Sequence, residues 1–412
     1  MFQVESFPLF YHLAADGRNY AEWSRQIVAG DWVGREVFYQ APLYPYILAL
    51  FQVLGARDLW WIRIVQILLG ASSCVLLYWA GRGFFSRAAG MAAAVILSLY
   101  APGIFFDALI QKTVLDVFLI SFLLFFLSRV QRRARWSRWL AAGLILGFLG
   151  LSRENALVWI GVLLAWIWLG FRDIRYQARL GWIASLLAGL FIVLLPVATR
   201  NLLVGGEFTL TTSQLGPNFF IGNNPVASGT YAPLRPGHGD PKFERQDATE
   251  LAEEALGRNL SPGEVSGYWF GRAWDYISAH PFNWLTLMSK KWLMVWNVRE
   301  LEDADDFYLY QQRSPLLKGL GVVAHFGLLA PLAAMGCLLT WRKWRRLWVL
   351  HGLLLSMALS VAFFYVFARY RFPMIPLLAL LAGAGIAEAV ALRRTKFVAR
   401  KSGAVAVMAL VA

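Results

Sequence analysis

The chain holds little of what most enzymes use. Its 412 residues include two cysteines and five histidines. Cys74 and Cys337 each fall inside an apolar run, so no disulfide framework or zinc-type cluster is available. His12, His238, His280 and His325 lack metal-ligand spacing and read as structural histidines. There is no glycine-rich phosphate loop, no dinucleotide-binding fingerprint and no His-Glu-x-x-His helix. Acids are scarce as well: 25 Asp and Glu against 39 Lys and Arg leave a formal charge of +14. Only 16% of residues are charged, whereas 58% are hydrophobic and 15% aromatic, with a mean hydropathy of +0.51. That composition excludes an ordinary soluble domain, and the apolar residues come in runs of membrane-spanning length. The positive surplus sits in short loops between these runs and reads as membrane topology, so nucleic acid is not an expected partner.

Apolar runs lie at about 60–80, 88–103, 109–128, 137–152, 154–171, 180–204, 319–341, 347–367 and 373–391. A helix rises ~1.5 Å per residue, so ~20 residues cross a hydrocarbon core ~30 Å thick. The expected fold class is an all-α polytopic membrane protein with membrane lipid as its surroundings. Basic clusters at Arg129–Arg138, Arg172–Arg179, Arg342–Arg346 and Arg393–Lys401 alternate with apolar runs and belong on the cytoplasmic side. The outer face then receives residues 1–59, Asp107, Lys112, Arg153-Glu154, the long segment 205–318 and Arg369-Tyr370-Arg371. This divides the chain into a first outer segment (1–59), membrane helices (60–204), a long outer loop (205–318) and a second helical group (319–412). In a bacterium the location would be the inner membrane, with the site on the periplasmic side. No signal-peptide pattern opens the chain. Alternation therefore predicts a span upstream of residue 1, and residues 403–412 read as a span cut short.

The outer segments have order of their own. Tyr20, Trp23, Ile27 and Val28 share one helical face and Arg18, Glu22, Arg25 and Gln26 the other, which predicts an interfacial amphipathic helix. Residues 43–55 are too short to cross and read as a helix in the outer leaflet entered through Pro42 and Pro45. Ser261-Pro262-Gly263-Glu264 is a capping box with proline at the first helical position, and His280-Pro281 closes that helix. Residues 283–297 give another Trp-rich helix, and the turn-rich stretch 211–240 reads as a flap.

A nucleotide sugar is not available on an outer membrane face, so an enzyme working there needs a lipid-linked donor. Such a donor calls for cations at headgroup level, an apolar groove and an acid to take a proton from the acceptor. Lys112, Arg153, Arg369 and Arg371 supply the cations, each of which also reads as an interfacial snorkel. Lys112 has Asp116 at i+4 as an alternative partner. Asp16 reads either as the base or as an N-cap on a helix starting near Gly17. Glu300, Asp303, Asp305 and Asp306 form an acidic turn, in which Asp303-Ala304-Asp305 matches a metal-binding spacing by chance. No metal ligand set or certain cofactor emerges, and a divalent metal stays open.

In order, the motifs are Asp16 with Tyr20, Gly30-Asp31-Trp32, Gln40-Ala41-Pro42-Leu43-Tyr44-Pro45-Tyr46, and Arg63 with the Gln66–Gly70 run. Gly143-x-x-x-Gly147 before Ser152-Arg153 and Arg369-Tyr370-Arg371-x-Pro373 follow. In that order they resemble membrane glycosyltransferases of the GT-C fold. The group is the family 39-like one of protein O-mannosyltransferases and of aminoarabinose and galacturonic acid transferases of lipid A. Asn223, Asn224 and Glu300 sit in stretches resembling a bacterial subgroup. The resemblance implies inverting transfer of one sugar from a polyprenyl phosphate to an envelope lipid, glycan or protein, with Asp16 as general base. It implies donor-phosphate contacts at Lys112, Arg153, Arg369 and Arg371, with Tyr20, Tyr44, Asn223, Asn224 and Glu300 as donor or acceptor contacts. The Asp-Glu pair of the O-mannosyltransferases is Asp16-Gly17 here, which leaves the acceptor open. Other readings are a polytopic transporter or lipid flippase, and a lipid-linked oligosaccharide ligase.

Overall fold

The computed structural model describes Gln3 and residues 8–56 and 58–411, with side chains for Gln3, residues 10–56 and residues 58–393. The stretch 403–412 and the basic residues beyond Arg393 lie outside the described side chains. All regular structure among the described residues is helical. The first outer segment holds α1 (Pro8–Tyr11), α2 (Ala15–Val28) and α3 (Leu43–Val53). The first helical group runs α4 (Leu59–Phe84), α5 (Arg87–Leu99), α6 (Ala101–Ala108), α7 (Thr113–Arg132), α8 (Trp136–Ser152), α9 (Trp159–Gly170) and α10 (Tyr176–Gly205). The long loop folds into α11 (Leu215–Gly222), α12 (Pro241–Leu256), α13 (Pro262–Ala279), α14 (Pro281–Val295) and α15 (Phe307–Arg313). The chain continues with α16 (Pro315–Val323), α17 (Phe326–Leu339), α18 (Trp344–Phe363), α19 (Ala368–Arg371) and α20 (Ile375–Val411).

Among the described residues, six helical stretches are long and apolar enough to cross a membrane, or seven counting the bent pair α5 and α6. This is a multi-pass membrane protein. The run expected as one span at 88–103 instead turns by 58° between α5 and α6. Tyr100 leaves helical backbone there, Pro102 offers no N–H, and the Ala101 N–H donates to Ala324 O at 2.9 Å. The short runs on either side of Arg153 become α8 and a 3₁₀ turn (Glu154–Val158) leading into α9, both under span length.

Packing within the bundle depends on small residues, because lipid tails remove the hydrophobic drive between helices. On α8, a Cβ at Gly143 would lie 2.0 Å from Leu186 O of α10, and one at Gly189 would lie 2.2 Å from Leu140 O. The two backbones therefore touch at a crossing that tolerates no side chain. The first turns of α20 are the core of the second group: Leu377, Ala379, Leu380, Leu381 and Ala382 expose no surface.

The first segment is tied into this bundle. Arg63 of α4 is buried and donates to Ala108 O (2.8 Å) and to Phe10 O, while Gln66 donates to Leu109 O (2.5 Å). The amphipathic helix α2 packs part of its apolar face on protein, with Val28 left exposed. Tyr20 and Ile27 are buried, and the Tyr20 ring meets Tyr44 of α3 edge-on at 5.2 Å. In the long loop the capping box at Ser261 forms as expected. Trp269 is buried there and donates to Ala248 O at 2.8 Å, whereas Trp274 is exposed. The stretch expected as a flap is bonded to the end of α18: Asn223 donates to Phe363 O (2.8 Å) and Val366 N donates to Gly229 O (2.9 Å).

Candidate functional site

A cavity of about 840 Å³ opens where the first segment, the ends of α8 and α18, and the long loop converge. Asp16, Tyr20, Gln40, Lys112, Arg153, Glu154, Glu244, Arg369 and Tyr370 give it a polar end. Leu157, Val158, Leu215, Phe219, Phe270, Leu359 and Phe363 give it an apolar flank, with Val158, Phe270 and Phe363 exposed at its edge. The residues at the polar end all come from segments expected on the outer face.

Asp16 does not cap its helix. The N-cap of α2 is Ala14, and Asp16 sits within the first helical turn. Helical geometry carries its carboxylate into the cavity, where Arg369 pairs with Oδ2 and the Gln40 amide donates to Oδ1 at 3.2 Å. Burial alone would raise the carboxyl, but Arg369, Lys112 and the Gln40 hydrogen bond together hold it below the ordinary carboxylate range. Arg369 also forms an ion pair with Asp303 through Nε, without a well-directed hydrogen bond. One guanidinium thus joins two carboxylates, and the Asp303 spacing serves this pairing.

Arg153 follows α8 directly. Its Nε donates to Asp116 Oδ2 at 2.6 Å, and Ser152 Oγ donates to the other carboxylate oxygen at 2.6 Å. The sequence offered Asp116 to Lys112; the fold gives it to Arg153. Arg153 Nη2 is buried without a hydrogen-bond partner. Lys112 Nζ likewise has no hydrogen-bond or ion-pair partner among the described residues, and burial together with Arg153 lowers its proton affinity. Two under-satisfied cations in one cavity create a local demand for an anion. Glu154, next in sequence, is held by Thr212 and by Gln214 Nε2 at 3.0 Å.

The other predicted residues lie elsewhere. Arg371 is buried, forms an ion pair with Glu300 at 2.8 Å and donates to Arg299 O at 2.9 Å. Glu300 also accepts from Tyr100 at 3.2 Å, so this pair ties the chain before α20 to the loop after α14. Tyr44 donates to Gln66 at 2.8 Å and backs Tyr20 without reaching the cavity. Asn223 accepts from Trp284 (2.9 Å) and Lys291 (3.3 Å), while Asn224 bonds within its own turn. Sequence reasoning missed Glu244, Thr212 and Gln214, which arrive from the long loop with no motif around them. Among the described residues, no three His, Cys, Asp or Glu side chains gather to hold a metal ion.

Residues 39–199, less than half of the chain, match the family model described as dolichyl-phosphate-mannose-protein mannosyltransferase. None of the curated proteins matches. An oligosaccharyltransferase of Archaeoglobus fulgidus, solved in complex with zinc and sulfate, is similar at a TM-score of 0.53 and 13% identity. The likeness covers 93% of this chain and 46% of that one. The same protein, AglB, solved with an inhibitory peptide and a dolichol-phosphate, gives 0.53 and 13%, covering 95% and 48%. ArnT from Cupriavidus metallidurans, solved with undecaprenyl phosphate, gives 0.44 and 16%, covering 92% and 74%. This chain spans about half the length of the archaeal enzyme. At that likeness the chain has the GT-C fold of membrane glycosyltransferases.

Proposed function

We propose that the protein transfers a single sugar, with inversion, from a polyprenyl-phosphate donor to an envelope lipid, glycan or protein on the outer face of a bacterial inner membrane. The observation that carries this reading is the union, in one cavity, of two under-satisfied cations, Asp16 paired with Arg369, and an apolar flank open at its edge. Lys112 and Arg153 would take the donor phosphate, with the prenyl chain along Val158, Leu359 and Phe363. The acceptor oxygen attacks the anomeric carbon from the face opposite the phosphate. As that bond forms, the carbon–oxygen bond to phosphate breaks with its electron pair, which the two cations stabilise. The acceptor proton goes to Asp16 as general base. Arg369 keeps Asp16 ionised and oriented. No step here uses a metal, and Asp16 and Asp303 already share a cation in Arg369.

The test uses the full chain in lipid nanodiscs, a radiolabelled undecaprenyl-phosphate sugar and envelope membranes as acceptor. Asp16→Asn should lower transfer by about 10²–10⁴-fold while insertion and donor binding persist. Unchanged transfer would remove Asp16 as the base. A product one whole glycan heavier would indicate a ligase, and flux without transfer a transporter.

A further inference from the structure

Asp303 has no part in the reaction above and stands outside the cavity lining, which it meets through Arg369. Each guanidinium nitrogen of Arg369 is engaged: Nη1 with Asp16, Nε with Asp303, and Nη2 with the Tyr370 hydroxyl at 3.2 Å. One positive charge therefore sits between a carboxylate in the cavity and a carboxylate outside it. The turn that carries Asp303 is anchored without this pair. Ala368 N donates to Leu301 O at 3.1 Å, and Arg371 pairs with Glu300 at 2.8 Å and donates to Arg299 O at 2.9 Å. Glu300 N donates to the Tyr308 hydroxyl at 2.9 Å, and Asp306 caps α15 by accepting from Tyr308 N at 2.8 Å. These ties dock the turn on the segment of Arg369, so the turn is a fixed platform that delivers a carboxylate to the far side of that guanidinium.

We propose that Asp303 is a positioning residue for the transfer reaction, holding Arg369 from outside the cavity so that Asp16 keeps an oxygen free, and basic enough, to take the acceptor's proton. This rests on the glycosyl-transfer reading. A guanidinium free to turn meets a carboxylate as a two-pronged fork and occupies both of its oxygens. Asp303 on Nε and Tyr370 on Nη2 prevent that fork and leave Nη1 alone for Asp16 Oδ2. Asp16 Oδ1 then carries only the Gln40 amide at 3.2 Å. A carboxylate oxygen can accept about two hydrogen bonds, so Oδ1 retains a lone pair for an acceptor O–H. Charge acts in the same sense. A cation given wholly to Asp16 would stabilise its anion and weaken it as a base, whereas a second carboxylate on the same cation offsets part of that hold. Asp303 touches neither substrate in this scheme and acts only through Arg369.

The experiment measures kcat and donor KM for the full chain in nanodiscs, with labelled undecaprenyl-phosphate sugar and envelope membranes, and counts folded sites by binding of undecaprenyl phosphate. Asp303→Asn should lower kcat about 10-fold with donor KM within about two-fold, and Asp303→Glu, one methylene longer, should restore part of the loss. Glu302→Gln, on the same turn and paired with Arg299 at 2.6 Å, should keep the wild-type rate. A residue that acts through Asp16 has nothing to act on once Asp16 is changed. Adding Asp303→Asn to Asp16→Asn should therefore slow transfer no further, within about two-fold. Wild-type kcat in Asp303→Asn, a loss confined to KM, or an equal loss in Glu302→Gln overturns the proposal. So does a further loss of about 10-fold on the Asp16→Asn background, the mark of a merely structural acid. If Asp303→Asn does not fold, Asp303→Glu passes through the same cycle, and a wild-type kcat or an additive loss overturns the proposal. A wild type that binds undecaprenyl phosphate and transfers no sugar overturns the glycosyl-transfer reading and this proposal with it, whereas a failure confined to the Asp303 variants leaves that reading standing.

Discussion

Two carboxylates facing one cavity carry opposite pH signatures. Asp16 is held below its ordinary value, so the folded state favours its ionised form. That stabilisation is complete above the unfolded value of about 3.9 and is lost as pH falls through the lower folded value. Glu244 is raised to about 7, so the folded state favours its protonated form. Its effect is absent at low pH, and stability falls as pH climbs from the unfolded value of about 4.3 to the folded one, then levels. Asp305, raised by burial and Asp303 to about 6, acts in the same sense. Thermal melts in detergent should therefore lose stability across this range. Glu244→Gln should flatten part of the loss and Asp305→Asn another part; slopes equal to wild type in both would contradict the assignment. Arg369 is the other decisive residue. Its side chain is 13% exposed and serves Asp16 and Asp303 together. Arg369→Ala leaves two acids without their cation, an expected loss of about 3 kcal/mol in denaturant titration, near the lower end for a broken buried pair. Arg369→Lys keeps the charge but cannot fork between both acids, and should recover only part of it.

At the scale of elements, the crossing of α8 and α10 sets where Arg153 emerges. Gly143 and Gly189 let the two backbones meet, and α8 ends nine residues after Gly143, at Ser152, with Arg153 directly after it. Gly143→Ala would push a methyl onto Leu186 O, for an expected cost of about 1–3 kcal/mol. Gly161→Ala on α9 meets nothing within 4 Å and should be neutral or slightly stabilising, since alanine favours helix over glycine. Melting temperatures of the two variants side by side check this; equal shifts would mean the crossing is looser than drawn. The sequence shows the Gly-x-x-x-Gly spacing but not its partner, because a small-residue stripe is the same for any close neighbour. It likewise shows an amphipathic pattern on α2 without saying what covers the apolar face. Lipid and protein are both apolar, and only the fold places Tyr44 there.

For the whole molecule, orientation is testable without any substrate. In a background lacking Cys74 and Cys337, Arg133→Cys and Asn259→Cys should label from opposite sides of sealed vesicles. Labelling from one side would break the alternation that puts every cavity residue on a common face. That alternation is an expectation from the sequence, resting on runs of ~20 apolar residues and flanking arginines that act locally, through transfer energy and membrane topology. The all-helical bundle followed for the same reason, since a backbone in lipid must satisfy its own hydrogen bonds. Asp16, Tyr20, Lys112, Arg153 and Arg369 were also readable as outer-face residues, and they do line one cavity. What the tertiary structure alone decided is pairing. It gives Asp116 to Arg153, Asp16 and Asp303 to Arg369, and Glu300 to Arg371, and it turns Glu244 toward the same cavity. Charges hundreds of residues apart meet only through helix packing, and packing is fixed by shape complementarity among elements whose sequences say only that they are apolar.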